Sequence, residues 1–264
     1  MSNGEAIKVL LVGCGKMGGA LLESWRKGDE AFTIVDPALE GAPEGVRLVS
    51  SRDPIADERF DVIVVAIKPQ MIPDVIPDYQ TMLAEDGYVL SIAAGASIER
   101  LMAACGSAHV VRVMPNLPAA IGQGVSGLCA SAEASEGQID HAKDMMGRAG
   151  NVIEVDDEDA LDHFTAVAGS GPGYVFEIAR TYAEAAKAQG FSEEQSVAMV
   201  LGVLQGTIAM ALESDQPLAE LRNSVTSKGG TTAAGLSALN GDGQLGKLMH
   251  ETLQAAYARA VELR

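Results

Sequence analysis

An apolar run, Lys8-Val-Leu-Leu-Val12, leads directly into Gly13-Cys-Gly-Lys-Met-Gly18 and then into a helical stripe through Leu21, Leu22 and Trp25. Strand, glycine turn and helix in that order constrain the chain more than any other segment. Gly13 permits a tight turn, Gly15 lets backbone approach a pyrophosphate, and Gly18 lets helix and strand pack closely. A second strand, Phe32 to Val35, ends in Asp36, about 20 residues on, where a carboxylate can accept hydrogen bonds from a ribose 2′-OH. The same carboxylate would repel a 2′-phosphate, which favours NADH over NADPH. Asp36 also suits the plainer role of opening the turn into Pro37.

Alternation of strand and helix continues. Asp61 to Ala66 reads as a buried strand, Ile72 to Leu83 as a helix interrupted by prolines, Tyr88 to Ser91 as a strand, Ile98 to Cys105 as a helix and His109 to Met114 as a strand. Such alternation predicts a parallel sheet, whose ligands lie beyond the carboxyl ends of its strands. Lys68, Ala93, Ala94 and Asn116 stand at such ends and are candidates for the nicotinamide side of a crevice. For Lys68 a solvated surface position is an equal alternative. Strands at Val125 to Ala130 and Val152 to Val155, with a helix from Ser135 to Arg148 between them, close the domain. The acidic run Asp156 to Asp159 reads as a solvated helix start and not as a metal site.

From Leu161 onward the strand signal disappears. Amphipathic segments rich in Ala and Gly run from Phe164 to Ala186, interrupted by Ser170-Gly-Pro-Gly173, which should kink or reset the helix. Further segments run from Glu193 to Ala211, Leu218 to Ser224, Thr231 to Leu239 and Leu245 to Glu262. Helices of this length leave apolar faces that one modest domain would not cover, so an intertwined homodimer is expected. Packing of the helices on the first domain, in a monomer, is the alternative.

Net charge is −17, from 19 basic and 36 acidic residues, and no basic stripe interrupts it. Nucleic acid and anionic membrane are therefore poor partners. The apolar stretches at Val9 to Val12 and Val62 to Ile67 are far short of a bilayer span, and the N-terminus lacks a basic lead, so a cytoplasmic protein is expected. The three cysteines, Cys14, Cys105 and Cys129, are scattered and odd in number, which argues for buried thiols over a disulfide framework. His109, His141, His163 and His250 fall in no motif and read as structural or surface residues.

The segment Val225 to Leu236, VTSKGGTTAAGL, is the most informative about substrate. It sets a glycine pair between hydroxyl side chains where a helical pattern begins. Gly229, Gly230 and Thr231 can offer N–H donors to a carboxylate, with Ser227 and Thr232 adding hydroxyls. A loop with a Thr N-cap is the plainer alternative.

GCGKMG near the start, AIKPQ at 66–70, SIAAG at 91–95, VMPNLP at 113–118, AGSGPGYVF at 168–176 and VTSKGGTT at 225–232 together resemble the pyrroline-5-carboxylate reductase family. The resemblance runs nearly end to end. It implies an α/β Rossmann-type dinucleotide-binding domain, residues 1–157, followed by an all-α dimerisation and substrate domain, residues 158–264. It implies NADH or NADPH as cofactor without a metal, a homodimer that can assemble into a larger ring, and 1-pyrroline-5-carboxylate as substrate. By this resemblance the late loop of one subunit completes the site facing the cofactor of the other. Gly13, Gly15, Lys16 and Met17 would contact the phosphates, Asp36 the ribose, and Ala66, Lys68, Pro69, Ala93, Ala94 and Asn116 would neighbour the nicotinamide, with Val12 also among the cofactor-binding residues. Val225, Ser227, Gly230, Thr231 and Thr232 would hold the substrate. Lys228 stands where the family usually has proline, and Asp36 replaces a small polar residue common there.

Reducing a cyclic imine adds hydride to carbon and needs a proton at nitrogen, so positioning can supply much of the rate. The Thr232 hydroxyl is the candidate partner of the ring nitrogen, either donating its proton or orienting the imine while a protonated substrate or water supplies it. Two rival readings remain: a hydroxyacid dehydrogenase of similar architecture, which needs a lysine or histidine base, and an NAD(H)-binding redox sensor without chemistry. The late loop argues against the second.

Overall fold

The computed structural model describes residues 6–264; the expectation about the extreme N-terminus falls partly outside them. Contacts divide the described residues into two compact units, residues 6–170 with 256–264, and residues 171–255.

The first unit is an eight-stranded sheet. In chain order it comprises β1 (Lys8–Val12), α1 (Lys16–Trp25), β2 (Ala31–Val35), β3 (Arg47–Val49), β4 (Phe60–Val65), α2 (Ile72–Val75), β5 (Leu83–Ser91), α3 (Ile98–Cys105), β6 (Val110–Met114), β7 (Gly124–Ala130), α4 (Glu136–Gly147), β8 (Gly150–Glu154) and α5 (Glu158–Phe164). The strands lie in the order β3-β2-β1-β4-β5-β6-β7-β8. The order reverses at β1, which opens a crevice between the carboxyl ends of β1 and β4. One layer of core lies on each face. Leu21, Leu22 and Trp25 of α1 are fully buried with Val9, Leu11, Val62 and Val64 on one side; Leu10, Ile63, Val65, Ile72 and Leu101 fill the other. Trp25 stacks on Phe32 with ring centroids 6.3 Å apart, and burial of a side chain of that class stabilises the fold by about 2–3 kcal/mol.

Two sequence expectations need correction. β7 runs antiparallel to β6, with Val111 opposite Ala130 and Met114 opposite Gly127, so the sheet is parallel-dominated and not wholly parallel. Only residues 115–123, folded around a 3₁₀ turn, join the two strands, and a parallel crossover needs about a dozen or more. The acidic run is also less solvated than expected. Asp157 caps α5 by accepting the Ala160 N–H, but Glu158 pairs with the buried Arg112 at 2.6 Å.

The expected division at 157/158 falls at the cap of α5. That helix packs its Leu161 and Phe164 over Gly127 of β7, where an added Cβ would meet Phe164 Cδ1 at 2.5 Å, and so α5 belongs by contact with the first unit. A π-helical turn, Thr165–Gly169, follows it. Gly171-Pro172-Gly173 then opens a new helix, as the reset expected from the sequence.

The second unit is helical: α6 (Gly171–Ala188), α7 (Glu193–Leu212), α8 (Leu218–Ser224), α9 (Thr231–Asn240) and most of α10 (Gln244–Leu263). Ser192 and Gln195 form a reciprocal capping box that starts α7. α6 and α7 pack on each other, yet Phe176, Ile178, Met199, Leu201, Val203 and Met210 remain exposed. α7 is long and apolar enough by length and composition to cross a membrane. The sequence expectation weighed only the runs at Val9 to Val12 and Val62 to Ile67 and left out this helix.

Candidate active site

The carboxyl ends of the central strands are level: Val12 pairs with Val65, and Val65 with Ser91. Just beyond them lie most of the residues expected to meet a cofactor. Val12 is buried, its carbonyl accepting the Ala66 N–H at 3.0 Å. Gly13 has φ +84°, and a Cβ there would sit 2.6 Å from Ile67 Cγ2. Gly18 lies with its missing Cβ at 3.4 Å from the Ala66 methyl, while Gly15 faces open space. These are the three glycine requirements of turn, approach and packing.

Gly15 is also the N-cap of α1 and provides no side-chain cap. The first helical bond is Gly19 N–H to Gly15 carbonyl, so among the described residues the Lys16, Met17 and Gly18 amides have no acceptor. Lys68 is exposed and opens the 3₁₀ turn at Pro69. Ala93 is buried, its N–H donated to Ser91 Oγ at 3.2 Å, and Ala94 is exposed beside it.

Two candidates are already committed within the protein. Asp36 Oδ2 accepts the Cys14 N–H at 2.8 Å and Oδ1 accepts the Ala38 N–H at 2.9 Å. Each oxygen keeps a lone pair, so the carboxylate anchors the glycine turn while still facing solvent on one side. Asn116 is buried; its Nδ2 donates to the Ala168 carbonyl at 3.0 Å and its Oδ1 accepts the Val125 N–H at 2.9 Å. It joins β7 and the π-helical turn to the end of β6.

The late loop belongs to the second unit. Gly229 has φ +74° and Gly230 is the N-cap of α9, again without a side-chain cap. The Thr cap considered from the sequence is therefore not formed. Gly230 N–H binds the Ser227 carbonyl at 3.0 Å, so the donor expected there is already used by the turn, and the first helical bond is Ala234 N–H to Gly230 carbonyl. The Thr231, Thr232 and Ala233 amides are left open among the described residues. The absent side chain of Gly230 leaves room for Ser227 Oγ, which would lie 2.4 Å from a Cβ there. Val225, Ser227, Thr231 and Thr232 are all exposed.

Four of the other helices differ at this point, while the short α2 and α8, begun by Met71 and Pro217, also lack a side-chain cap. α3, α4, α5 and α7 start with Ser97, Ser135, Asp157 and Ser192, and each of those side chains accepts a backbone N–H. α1 and α9 start with glycine and leave their amides open. An open helix N-terminus is an anion site by its partial charge and its N–H geometry.

The histidines lie elsewhere. His141 Nδ1 meets the Tyr88 hydroxyl at 2.9 Å and its Nε2 lies 3.3 Å from Glu30; His109 meets Gln138; His163 stacks on Tyr257; His250 is exposed. Burial pushes the Cys105 and Cys129 thiols up to about 12, and Cys14 is raised by burial and by the Asp36 charge. None of the three is poised as a nucleophile.

Residues 158–263 match the family model described as pyrroline-5-carboxylate reductase dimerisation, and residues 8–95 match one described as NADP oxidoreductase, coenzyme F420-dependent. A pyrroline-5-carboxylate reductase of Pseudomonas aeruginosa is 33% identical over 97% of this chain and 96% of its own. One from Vibrio alginolyticus is 35% identical over 98% of both. The chain belongs to the pyrroline-5-carboxylate reductase family. Among solved structures, the Coxiella burnetii pyrroline-5-carboxylate reductase superposes with a TM-score of 0.90 at 30% identity, covering 98% of this chain and 99% of that one. The Plasmodium falciparum pyrroline carboxylate reductase, solved with NADP bound, gives 0.84 at 27%, covering 97% and 98%.

Sequence reasoning missed Arg112, Glu158 and Asp162. Arg112 stands in a strand of otherwise apolar residues, 46 positions from its partner Glu158. The one available signal was a lone charge within an apolar run, which in a buried strand demands a counter-ion.

Proposed function

We propose that this protein reduces 1-pyrroline-5-carboxylate to L-proline with a nicotinamide cofactor, completing proline biosynthesis. The observation that carries the reading is the pair of glycine-started helices with open amides, one on each unit, in a chain of this family. One suits a pyrophosphate and the other a carboxylate. Gly13, Gly15, Lys16 and Met17 meet the phosphates, Asp36 the ribose, and Ala66, Lys68, Pro69, Ala93, Ala94 and Asn116 surround the nicotinamide end, with Val12 closing the strand beneath. Asn116 does so as a support, since both ends of its amide already hold backbone.

Val225, Ser227, Gly230, Thr231 and Thr232 hold the substrate. The Thr231 to Ala233 amides and the Ser227 hydroxyl take the carboxylate, and the Thr232 hydroxyl addresses the ring nitrogen. When bound, the reduced cofactor supplies hydride; the chain's own residues fix the ring and stabilise charge change at nitrogen. No metal is needed for this chemistry.

Asp36 favours NADH over NADPH, because a 2′-phosphate would bring like charge against its carboxylate. We further assign residues 1–157 to cofactor binding and 158–264 to association and substrate. The exposed apolar side chains of α6 and α7 are the self-association surface of a homodimer, which can build a larger ring. The acidic charge without a basic stripe supports a protein that does not engage nucleic acid or anionic membrane, and we read it as cytoplasmic.

The test is oxidation of NADH and NADPH, at equal concentrations, with 1-pyrroline-5-carboxylate. Turnover with NADH preferred supports the whole reading. Turnover with NADPH preferred overturns the role given to Asp36. Activity on a hydroxyacid and none on the imine overturns the function.

A further inference from the structure

Arg112 lies on β6 with its side chain 4% exposed, and Nη1 donates to Glu158 Oε1 at 2.6 Å. The same oxygen accepts the Ile98 N–H at 2.9 Å. Ile98 is the first residue of α3 and ends the loop that begins after Ser91 and carries Ala93 and Ala94. One carboxylate oxygen therefore ties a buried cation in the sheet to that loop. A second tie acts from another side. Gly95 has φ +77°, and its open face lies against Leu263, whose carbonyl would be 2.5 Å from a Cβ. The neighbouring Arg264 Nη1 lies 3.2 Å from Asp162, which is itself 4.0 Å from Arg112.

A buried ion pair is seldom retained for stability, because desolvation offsets most of its attraction; geometric definition is its better-attested use. We propose that Arg112 and Glu158 are positioning residues for the cofactor-side loop: Arg112 fixes Glu158, and Glu158 fixes the loop through the Ile98 N–H. The inference rests on the reading that Ala93 and Ala94 border the nicotinamide end. Without the pair, the Ile98 amide loses its acceptor and the loop is released at its α3 end. Cofactor binding then weakens while the chemistry at the late loop is left intact.

Ile98 provides a clean probe. It occupies the first helical position, where proline is tolerated, and the preceding Ser97 is extended at φ −67°, ψ 157°, as a residue before proline must be. Ile98→Pro thus deletes the N–H with the helix preserved, and Ile98→Ala keeps the N–H as a control. NADPH and NADH binding is titrated by nicotinamide fluorescence, alongside steady-state rates and thermal melting. Ile98→Pro and Glu158→Ala are each expected to raise cofactor Kd and KM about tenfold, with kcat changed less than about threefold, as for loss of one charge-assisted hydrogen bond. Glu158→Gln, which retains an acceptor, is expected to recover most of the affinity, and Ile98→Ala to bind within about twofold of wild type. Cofactor affinity within about twofold of wild type in folded Ile98→Pro overturns the inference while leaving the functional reading intact. So does an equal loss in Ile98→Ala. A wild-type protein that binds neither nicotinamide overturns both.

Discussion

The Asp36 carboxylate accepts the Cys14 N–H at 2.8 Å across 22 residues of chain, joining the end of β2 to the glycine turn after β1. It both shapes the turn and places a negative charge beside the proposed ribose site. Asn removes the charge and keeps one of the two acceptors that hold the Cys14 and Ala38 N–H groups, so the cofactor ratio of Asp36→Asn reads the charge and its stability reads the lost acceptor. Its NADPH-to-NADH ratio of kcat/KM should rise about tenfold, corresponding to roughly 1.4 kcal/mol, with stability lowered by about 1–3 kcal/mol for the N–H left without an acceptor. An unchanged ratio in coupled rate assays would remove Asp36 from cofactor selection.

Gly13 and Gly15 should respond differently to one added methyl group. Gly13→Ala meets both the left-handed backbone and Ile67 Cγ2, and should lose about 2–3 kcal/mol in urea unfolding. Gly15→Ala meets no protein atom within 4 Å; it should fold normally and bind cofactor at least about tenfold more weakly. Equal stability losses in the two variants would show that Gly15 serves the fold alone.

Much of the first unit was legible because its signals are local. The turn after Val12 follows from Gly13, and the bounds of α3 follow from Ser97 and Gly106, which adopts φ +61° at its end. The reversed direction of β7 leaves no mark in the apolar runs themselves, and its one trace in the sequence is the connection after Met114, too short for a parallel crossover. Nor was the anchoring role of Asn116 legible, whose partners Val125 and Ala168 are brought to it only by the assembled fold. At the late loop, hydroxyls and glycines could be read directly, but a Thr or a Gly cap fits that string equally well. Glu158 looked solvated because neighbouring acids usually are; its buried partner lies on a distant strand.

Acid stability should carry the mark of Glu30. Burial raises its carboxyl, but hydrogen bonds from His141 and Arg148 outweigh this and hold it at about 2, against an ordinary value of 4.5. A depressed carboxyl stabilises the fold above its unfolded value, and that contribution is lost as pH falls through the window from 4.5 toward 2. Allowing for solvent screening, the stake is about 1–3 kcal/mol. Glu30→Gln should be less stable than wild type at pH 7, with the gap closing below pH 4.5 in denaturant melts; a constant gap would contradict the assignment.

Leu201 lies on α7, 53% exposed, within the proposed self-association surface. A charge there faces desolvation on assembly, so Leu201→Glu should shift the protein toward monomer by light scattering and lower activity at nanomolar concentration. A wild-type monomer in solution would contradict the surface assignment.

The late loop is tested most directly by a crystal structure with L-proline and oxidised cofactor bound. The proline carboxylate is expected on the Thr231, Thr232 and Ala233 amides beside Ser227, with the Thr232 hydroxyl at the ring nitrogen. Proline bound elsewhere, with those amides facing only solvent, would contradict the account.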